Sequence, residues 1–267
     1  WDALICTSNS VKNNVEFILE NKKRYLKDEL GLLSFTEPKL PVIPLGINTK
    51  DFKSSEENRQ LARKSFEIDE NTLVVLYVGR LSFHAKANPV PMYLAVEKAA
   101  KLNPSKKIKI IECGWYSNDW IKGAFSELST NILDDVELIT IDGRDQEKVK
   151  TAWHSADIFC SFSDNIQETF GISPIEAMAS GLPVVVSDWD GYKESVRDEV
   201  DGFRIPTIMP KGGFGSDLAM SYAMELDDYD RYIGKTSAFV AIDIEHAVVR
   251  FDQLFKSEEL RKTLGQN

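Results

Sequence analysis

Two carboxylates, Glu168 and Glu176, stand with seven residues between them, beginning Thr169-Phe170-Gly171. Ser173-Pro174 follows the glycine, and Gly181 comes shortly after. Proline just inside a start and glycine just past an end predict a helix from Ser173 or Pro174 to Gly181. A helix N-terminus has free N–H groups and the positive end of the helix dipole. Amides near Phe170, Gly171 and Ile172 therefore suit an anion, and Gly171 lets the backbone come close to one. A second stretch runs Gly79-Arg80-Leu81-Ser82-Phe83-His84-Ala85-Lys86. A guanidinium fork and an ammonium point charge at one loop suit phosphate. Each part also has a plainer reading. Ser173-Pro174-Ile175-Glu176 fits a capping box, Glu168 fits a surface-loop acid, and Arg80 and Lys86 fit a solvated loop.

Five apolar runs of strand length must position these groups: 73–78, 108–111, 136–141, 157–160 and 183–186. Helical stretches separate them, such as Pro89 to Leu102 behind Asn88. Strands buried on both faces and alternating with helices predict right-handed βαβ units. The expected fold class is α/β, a doubly wound parallel sheet over about residues 60–250. Ligands of such sheets bind beyond the carboxyl ends of the strands. Arg80 and Lys86 follow the first run and the Glu168 block follows the fourth.

Before this region lies a short apolar run, Ala3 to Cys6. A polar helix is expected from Val11 to Leu30, stopped at Gly31. Pro38, Pro41 and Pro44 make 31–55 a connector. Beyond the last run, 208–233 reads as a surface loop plus an irregular helix. Residues 244–264 read as one or two amphipathic helices, with Phe251, Leu254 and Phe255 on one face.

The chain has 267 residues, 32 basic and 42 acidic, for a net charge of −10. That balance argues against a nucleic-acid partner, which needs a basic face, but leaves room for a local basic pocket. With 43% hydrophobic residues the chain is too apolar to be disordered. No apolar run is long enough for a transmembrane segment, and no leader pattern is visible. Cys6, Cys113 and Cys160 lack zinc spacing and read as buried free thiols in a reducing cytoplasm. The three histidines are scattered, so the metal expectation is none.

The combination resembles the retaining glycosyltransferases of the GT-B fold, group 1 or family 4. The resemblance rests on Glu168-Thr169-Phe170-Gly171 through Glu176-Ala177-Met178-Ala179-Ser180-Gly181-Leu182-Pro183-Val184-Val185. Val78-Gly79-Arg80-Leu81, Lys86, Trp153 to Ile158 and Asp201-Gly202-Phe203 also match. It covers about residues 40–205. It implies transfer of a sugar, of hexosyl type, from a nucleoside-diphosphate sugar with retention. That donor is a substrate, and no cofactor is implied. Arg80 and Lys86 would hold the diphosphate. Backbone N–H groups at Phe170, Gly171 and Ile172 would contact sugar or phosphate. Glu168 would touch the donor sugar as the catalytic residue, and Glu176 would take the ribose hydroxyls. Gly143 and Arg144 would lie near the nucleobase.

The resemblance also implies a division. Residues 1–50 would be the tail of an N-terminal acceptor domain plus connector. Residues 51–267 would be the donor-binding domain, truncated at its C-terminus. Such a fragment should bind donor and transfer sugar weakly or not at all. The acceptor, a glycan, lipid or small molecule, stays open, as does peripheral membrane association of a longer cytoplasmic protein. Asp188-Trp189-Asp190 is read as a cleft loop rather than a metal triplet. The alternative function is a non-catalytic nucleotide-binding α/β module.

Overall fold

The structure, a computed structural model, describes residues 2–266. Trp1 and Asn267, which the sequence reading places in the first and last segments, lie outside the described residues. β1 (Thr72–Val78), β2 (Lys107–Gly114), β3 (Glu137–Asp142), β4 (Ile158–Ser161) and β5 (Val184–Ser187) each start within one residue of an expected run. A sixth strand, β6 (Gly202–Ile205), has no such run, because it is only four residues long and carries Arg204. All six pair in parallel, in the order β3-β2-β1-β4-β5-β6. The order reverses between β1 and β4, where an open sheet leaves its crevice.

The first long helix, α1 (Asn9–Leu30), starts two residues earlier than expected because Ser8 caps it. The Ser8 hydroxyl accepts from the Val11 N–H, and Gly31, at φ 66°, ends the helix. None of its residues is buried. Its start is clasped to the α/β region. Ser8 Oγ donates to the Thr169 carbonyl at 2.5 Å. The N–H groups of Asn9 and Ser10 donate to the Glu194 carboxylate, each at 2.8 Å. The run at Ala3–Cys6 makes only isolated bridges, Ala3 to Lys39 and Cys6 to Val42, with the connector. The connector's regular structure is a short 3-10 turn, Thr49–Phe52.

Helices α2 (Glu56–Ser65), α3 (Val90–Lys101), α4 (Asp119–Ile132), α5 (Gln146–Ser155), α6 (Ile172–Ala179) and α7 (Tyr192–Ser195) alternate with the strands. The 208–233 region differs from expectation. It holds two helices, α8 (Ser216–Ala223) and the start of α9 (Tyr229–Ser237). Tyrosine stacking joins them, Tyr222 on Tyr232 at 5.2 Å between ring centroids. No residue of α8 is buried, so hydrophobic periodicity could not reveal it. A two-residue ribbon, β7 (Thr207–Ile208) with β8 (Ala241–Ile242), closes the base of this excursion. Two helices then end the described chain, α10 (Ile244–Lys256) and α11 (Glu258–Gln266).

Alternate residues of β1 go to opposite faces of the sheet. Val75 packs with Tyr93, Ile110, Phe251 and Phe255 under α3 and α10. Val74 and Leu76 pack with Ile111, Trp153, Phe159 and Tyr192 on the other side. Each such side chain, fully buried, contributes roughly 1.5–3 kcal/mol. Cys6, Cys113 and Cys160 are buried free thiols.

Candidate functional site

The carboxyl ends of β1, β2 and β3 run into Gly79, Gly114 and Gly143. The Gly79 N–H donates to the Cys113 carbonyl at 3.0 Å, and the Gly143 N–H to the Gly114 carbonyl at 2.9 Å. A Cβ at Gly114 would lie 1.9 Å from the Gly79 oxygen, and one at Gly143 would lie 2.9 Å from the Gly114 Cα. The strand ends therefore form a floor of bare backbone. Above it opens a cleft of about 530 Å³, walled by Phe52, Trp115, Trp153 and Glu176 and including Gly79 and Gly143. Lys86 adjoins it, since a Cβ on Gly79 would come within 3.4 Å of the Lys86 Cε.

Glu176 reaches the cleft from α6. That helix starts at Ile172, before the expected Ser173 or Pro174, because Gly171 takes the cap position at φ 77°. A side chain at Gly171 would strike Tyr192, with its Cβ only 2.0 Å from the ring. Tyr192 is fully buried and bonded through its hydroxyl to Ser161 Oγ at 2.8 Å. No side chain caps α6, so its first-turn amides retain their capacity for an anion. Ser173 lies inside the helix, which overturns the capping-box reading of Glu176. Burial pushes the Glu176 carboxyl above its usual range.

Glu168 is buried and forms an ion pair with Lys86. Three contacts place this pair. The Lys86 N–H donates to the Ser82 carbonyl at 3.0 Å. Ser163 Oγ donates to the Lys86 carbonyl at 3.1 Å. The Gly191 N–H donates to the Glu168 carbonyl at 3.1 Å. Asp190 sits beside them at φ 40°, an uncommon conformation for a residue with a side chain. Burial, and then the charge of Glu168, push its carboxyl up to about 6. Its partner is the Ser10 hydroxyl at the start of α1.

The remaining candidates lie at the rim. Arg80 is exposed, and its guanidinium donates to the Ala85 carbonyl at 3.2 Å within its own loop. Arg144 is exposed and pairs with Asp142 at 2.7 Å. That guanidinium holds the Asp142 carboxyl down at about 2. The structure thus gathers Gly143 and Glu176 in one cleft. It sets Lys86 and Glu168 together next to it and places Phe170, Gly171 and Ile172 at the α6 start. Arg80 and Arg144 are not drawn into the cleft. Asp188 and Asp190 go to different partners, Asp188 lying 3.6 Å from Arg204. Among the described residues, no three His, Cys, Asp or Glu side chains are grouped to hold a metal ion. Phe52, Gly114 and Trp115 escaped the sequence reading. Gly114-Trp115 carried a signal, a glycine and an aromatic directly after a strand.

A larger cavity, about 970 Å³, opens at the opposite edge of the sheet. Two of its cations serve the fold: Arg59 and Arg63 both pair with Asp157, at 2.6 and 3.2 Å.

A six-stranded parallel sheet with its crevice, helix N-terminus and ammonium group at the carboxyl edge defines an open, doubly wound α/β fold. Residues 58–210, more than half of the chain, match the family described as Glycosyl transferases group 1. The chain belongs to that family, and its fold is that of a GT-B glycosyltransferase. It is 23% identical over 248 residues to lipopolysaccharide 1,2-N-acetylglucosaminetransferase of Salmonella typhimurium, covering 89% of this chain and 63% of that protein. Among solved structures it resembles WaaG, a glycosyltransferase involved in lipopolysaccharide biosynthesis. The TM-score is 0.64 at 17% identity, over 98% of this chain and 56% of WaaG. It also resembles Anabaena HepE in complex with UDP-glucose, with a TM-score of 0.56 at 19% identity, over 96% of this chain and 62% of that one. The chain spans less than two thirds of the length of each of these proteins. Among the described residues, no helix is long and apolar enough to cross a membrane.

Proposed function

We propose that this chain is the donor-binding half of a retaining, family 4 glycosyltransferase. It takes a nucleoside-diphosphate sugar and, with an acceptor-binding partner region, transfers the sugar with retention. The observation that carries this reading is the cleft itself. Gly143 and Glu176 share it, and the Lys86–Glu168 pair and the α6 start adjoin it.

The nucleobase lies over Gly143, with Arg144 at its edge, and Glu176 accepts hydrogen bonds from the ribose hydroxyls. The diphosphate meets Lys86, the α6 amides at Phe170, Gly171 and Ile172, and Arg80 turned inward from its loop. As the sugar–phosphate bond breaks, negative charge grows on the leaving diphosphate. A fixed ammonium and a helix dipole stabilise that charge more than the ground state. Glu168 meets the donor sugar at the reacting face. Residues 1–50 belong with the acceptor side, and the chain alone binds donor but transfers poorly, because proximity to the acceptor is missing.

Calorimetric titration with UDP, GDP, ADP and their sugar conjugates tests this. One nucleotide should bind, and Arg80→Ala and Glu176→Ala should weaken it. No binding by this chain or by any longer form that contains it would overturn the reading.

A further inference from the structure

A second cleft, of about 740 Å³, opens on the other side of the Ser82–Asn88 loop. The loop divides its side chains between the two. Lys86 turns to Glu168, whereas Phe83, His84 and Asn88 line the second cleft. Trp120, in the first turn of α4, and the length of α9 with its caps, from Asp228 to Ala238, form its other walls.

Two features there exceed what the fold needs of them. Phe83 and Trp120 meet edge to face, with centroids 5.6 Å apart, and Trp120 remains 70% exposed. Asp164 also lines the cleft; it is only 5% exposed, its carboxylate is held by the backbone N–H groups of Asn88 and of Asp164 itself, and its Oδ1 keeps no hydrogen-bond partner. A buried carboxylate oxygen left without a donor is costly, and burial pushes this carboxyl up to about 7. The rim adds His84 beside Asp230, with 3.6 Å between Nε2 and Oδ2, and Arg231.

The ligand must therefore bring neutral hydrogen-bond donors to Asp164 and a flat apolar face to the aromatic pair. Asp164, Asp228 and Asp230 oppose a phosphate, while Arg231 and Lys235, the latter paired with Asp227, oppose a cation. A pyranose meets both demands, since its hydroxyls donate and accept around an apolar C–H face. We infer that this second cleft binds a saccharide, with Trp120 against the sugar ring and Asp164 accepting from a hydroxyl. On the glycosyltransferase reading above, on which this last step rests, the saccharide is part of the acceptor.

Saturation-transfer NMR of the chain with methyl glucoside, methyl galactoside and methyl N-acetylglucosaminide, with choline as the cationic comparison, tests the site. A glycoside should bind and choline should not. Trp120→Ala, at an exposed position, should weaken glycoside binding roughly tenfold and leave nucleoside-diphosphate binding unchanged. Asp164→Asn should also weaken it. Absence of glycoside binding, equal binding by Trp120→Ala, or preference for choline overturns the inference. If glycosides bind and no nucleoside diphosphate does, the donor reading fails while this site stands. The reverse result removes this site alone.

Discussion

The ammonium of Lys86 and the carboxylate of Glu168 are joined across the carboxyl ends of two neighbouring strands, β1 and β4. Both side chains are largely shielded, with 22% and 8% of their surface exposed. A buried pair of this kind costs most when one partner is removed and the other charge is left behind, roughly 3–5 kcal/mol. The pair also links the group proposed to meet phosphate with the group proposed to meet sugar.

Lys86→Ala should therefore lower the unfolding midpoint and abolish nucleoside-diphosphate binding. The double variant Lys86→Met/Glu168→Gln should regain stability without regaining binding. Thermal unfolding and calorimetry on the same samples separate the two effects. Recovery of binding in the double variant would refute the phosphate role of Lys86.

Among the described residues none pairs with the Glu176 carboxylate, and its position in the cleft is proposed to serve the ribose. A hydrogen bond to a charged group contributes about 1.5–3 kcal/mol. The wild-type chain should discriminate between the bound nucleotide and its 2′,3′-dideoxy analogue by that amount, and Glu176→Ala should not. Discrimination that survives the substitution would move the ribose elsewhere.

Gly114→Ala places a methyl group 1.9 Å from the Gly79 oxygen. Backbone cannot yield there without opening the strand ends, and overpacking costs roughly 1–3 kcal/mol or more. The variant should lose stability and nucleotide binding together. Gly123→Ala is the control, because nothing stands within 4 Å of its added carbon. Equal behaviour of the two variants would argue against the backbone floor.

Burial raises the Glu112 carboxyl, whose Oε1 accepts from the Tyr93 hydroxyl at 2.6 Å, from 4.5 to about 7. The folded protein thus holds a proton there that the unfolded chain has released. Stability from this group is full below the unfolded value and falls as pH rises from 4.5 to about 7, with little further change above. The loss amounts to about 3 kcal/mol. Asp164, raised to about 7, and Asp190, raised to about 6, act in the same direction. Urea unfolding at about pH 5 and about pH 8 should show the decline, and Glu112→Gln should flatten it. An unchanged slope in that variant would exclude Glu112 as a source.

The strands of the sheet were legible because buried parallel strands are written as continuous apolar runs. β6 was not, since an edge strand of four residues with Arg204 has no such signature. The start of α6 was misplaced because the deciding contact, Tyr192 against Gly171, comes from a segment distant in sequence. Glu168, Glu176 and Lys86 were visible as residue types beside strand ends. Their pairing was not, because only the register of β1 with β4 brings Lys86 to Glu168. Phe52 was hidden for a related reason. It reaches the cleft from the connector, whose prolines mark it as irregular but do not show where it returns.

The clasp at the start of α1 has a mechanical consequence. Ser8 holds the Thr169 carbonyl, one peptide from Phe170, and the helix that begins there runs 22 residues with no buried side chain. At 1.5 Å per residue it is a lever of about 33 Å. A tilt of about 10° at its pivot displaces its far end by about 6 Å. Whatever grips the exposed shaft can thus transmit a small, geared-down motion to the turn between Glu168 and Gly171.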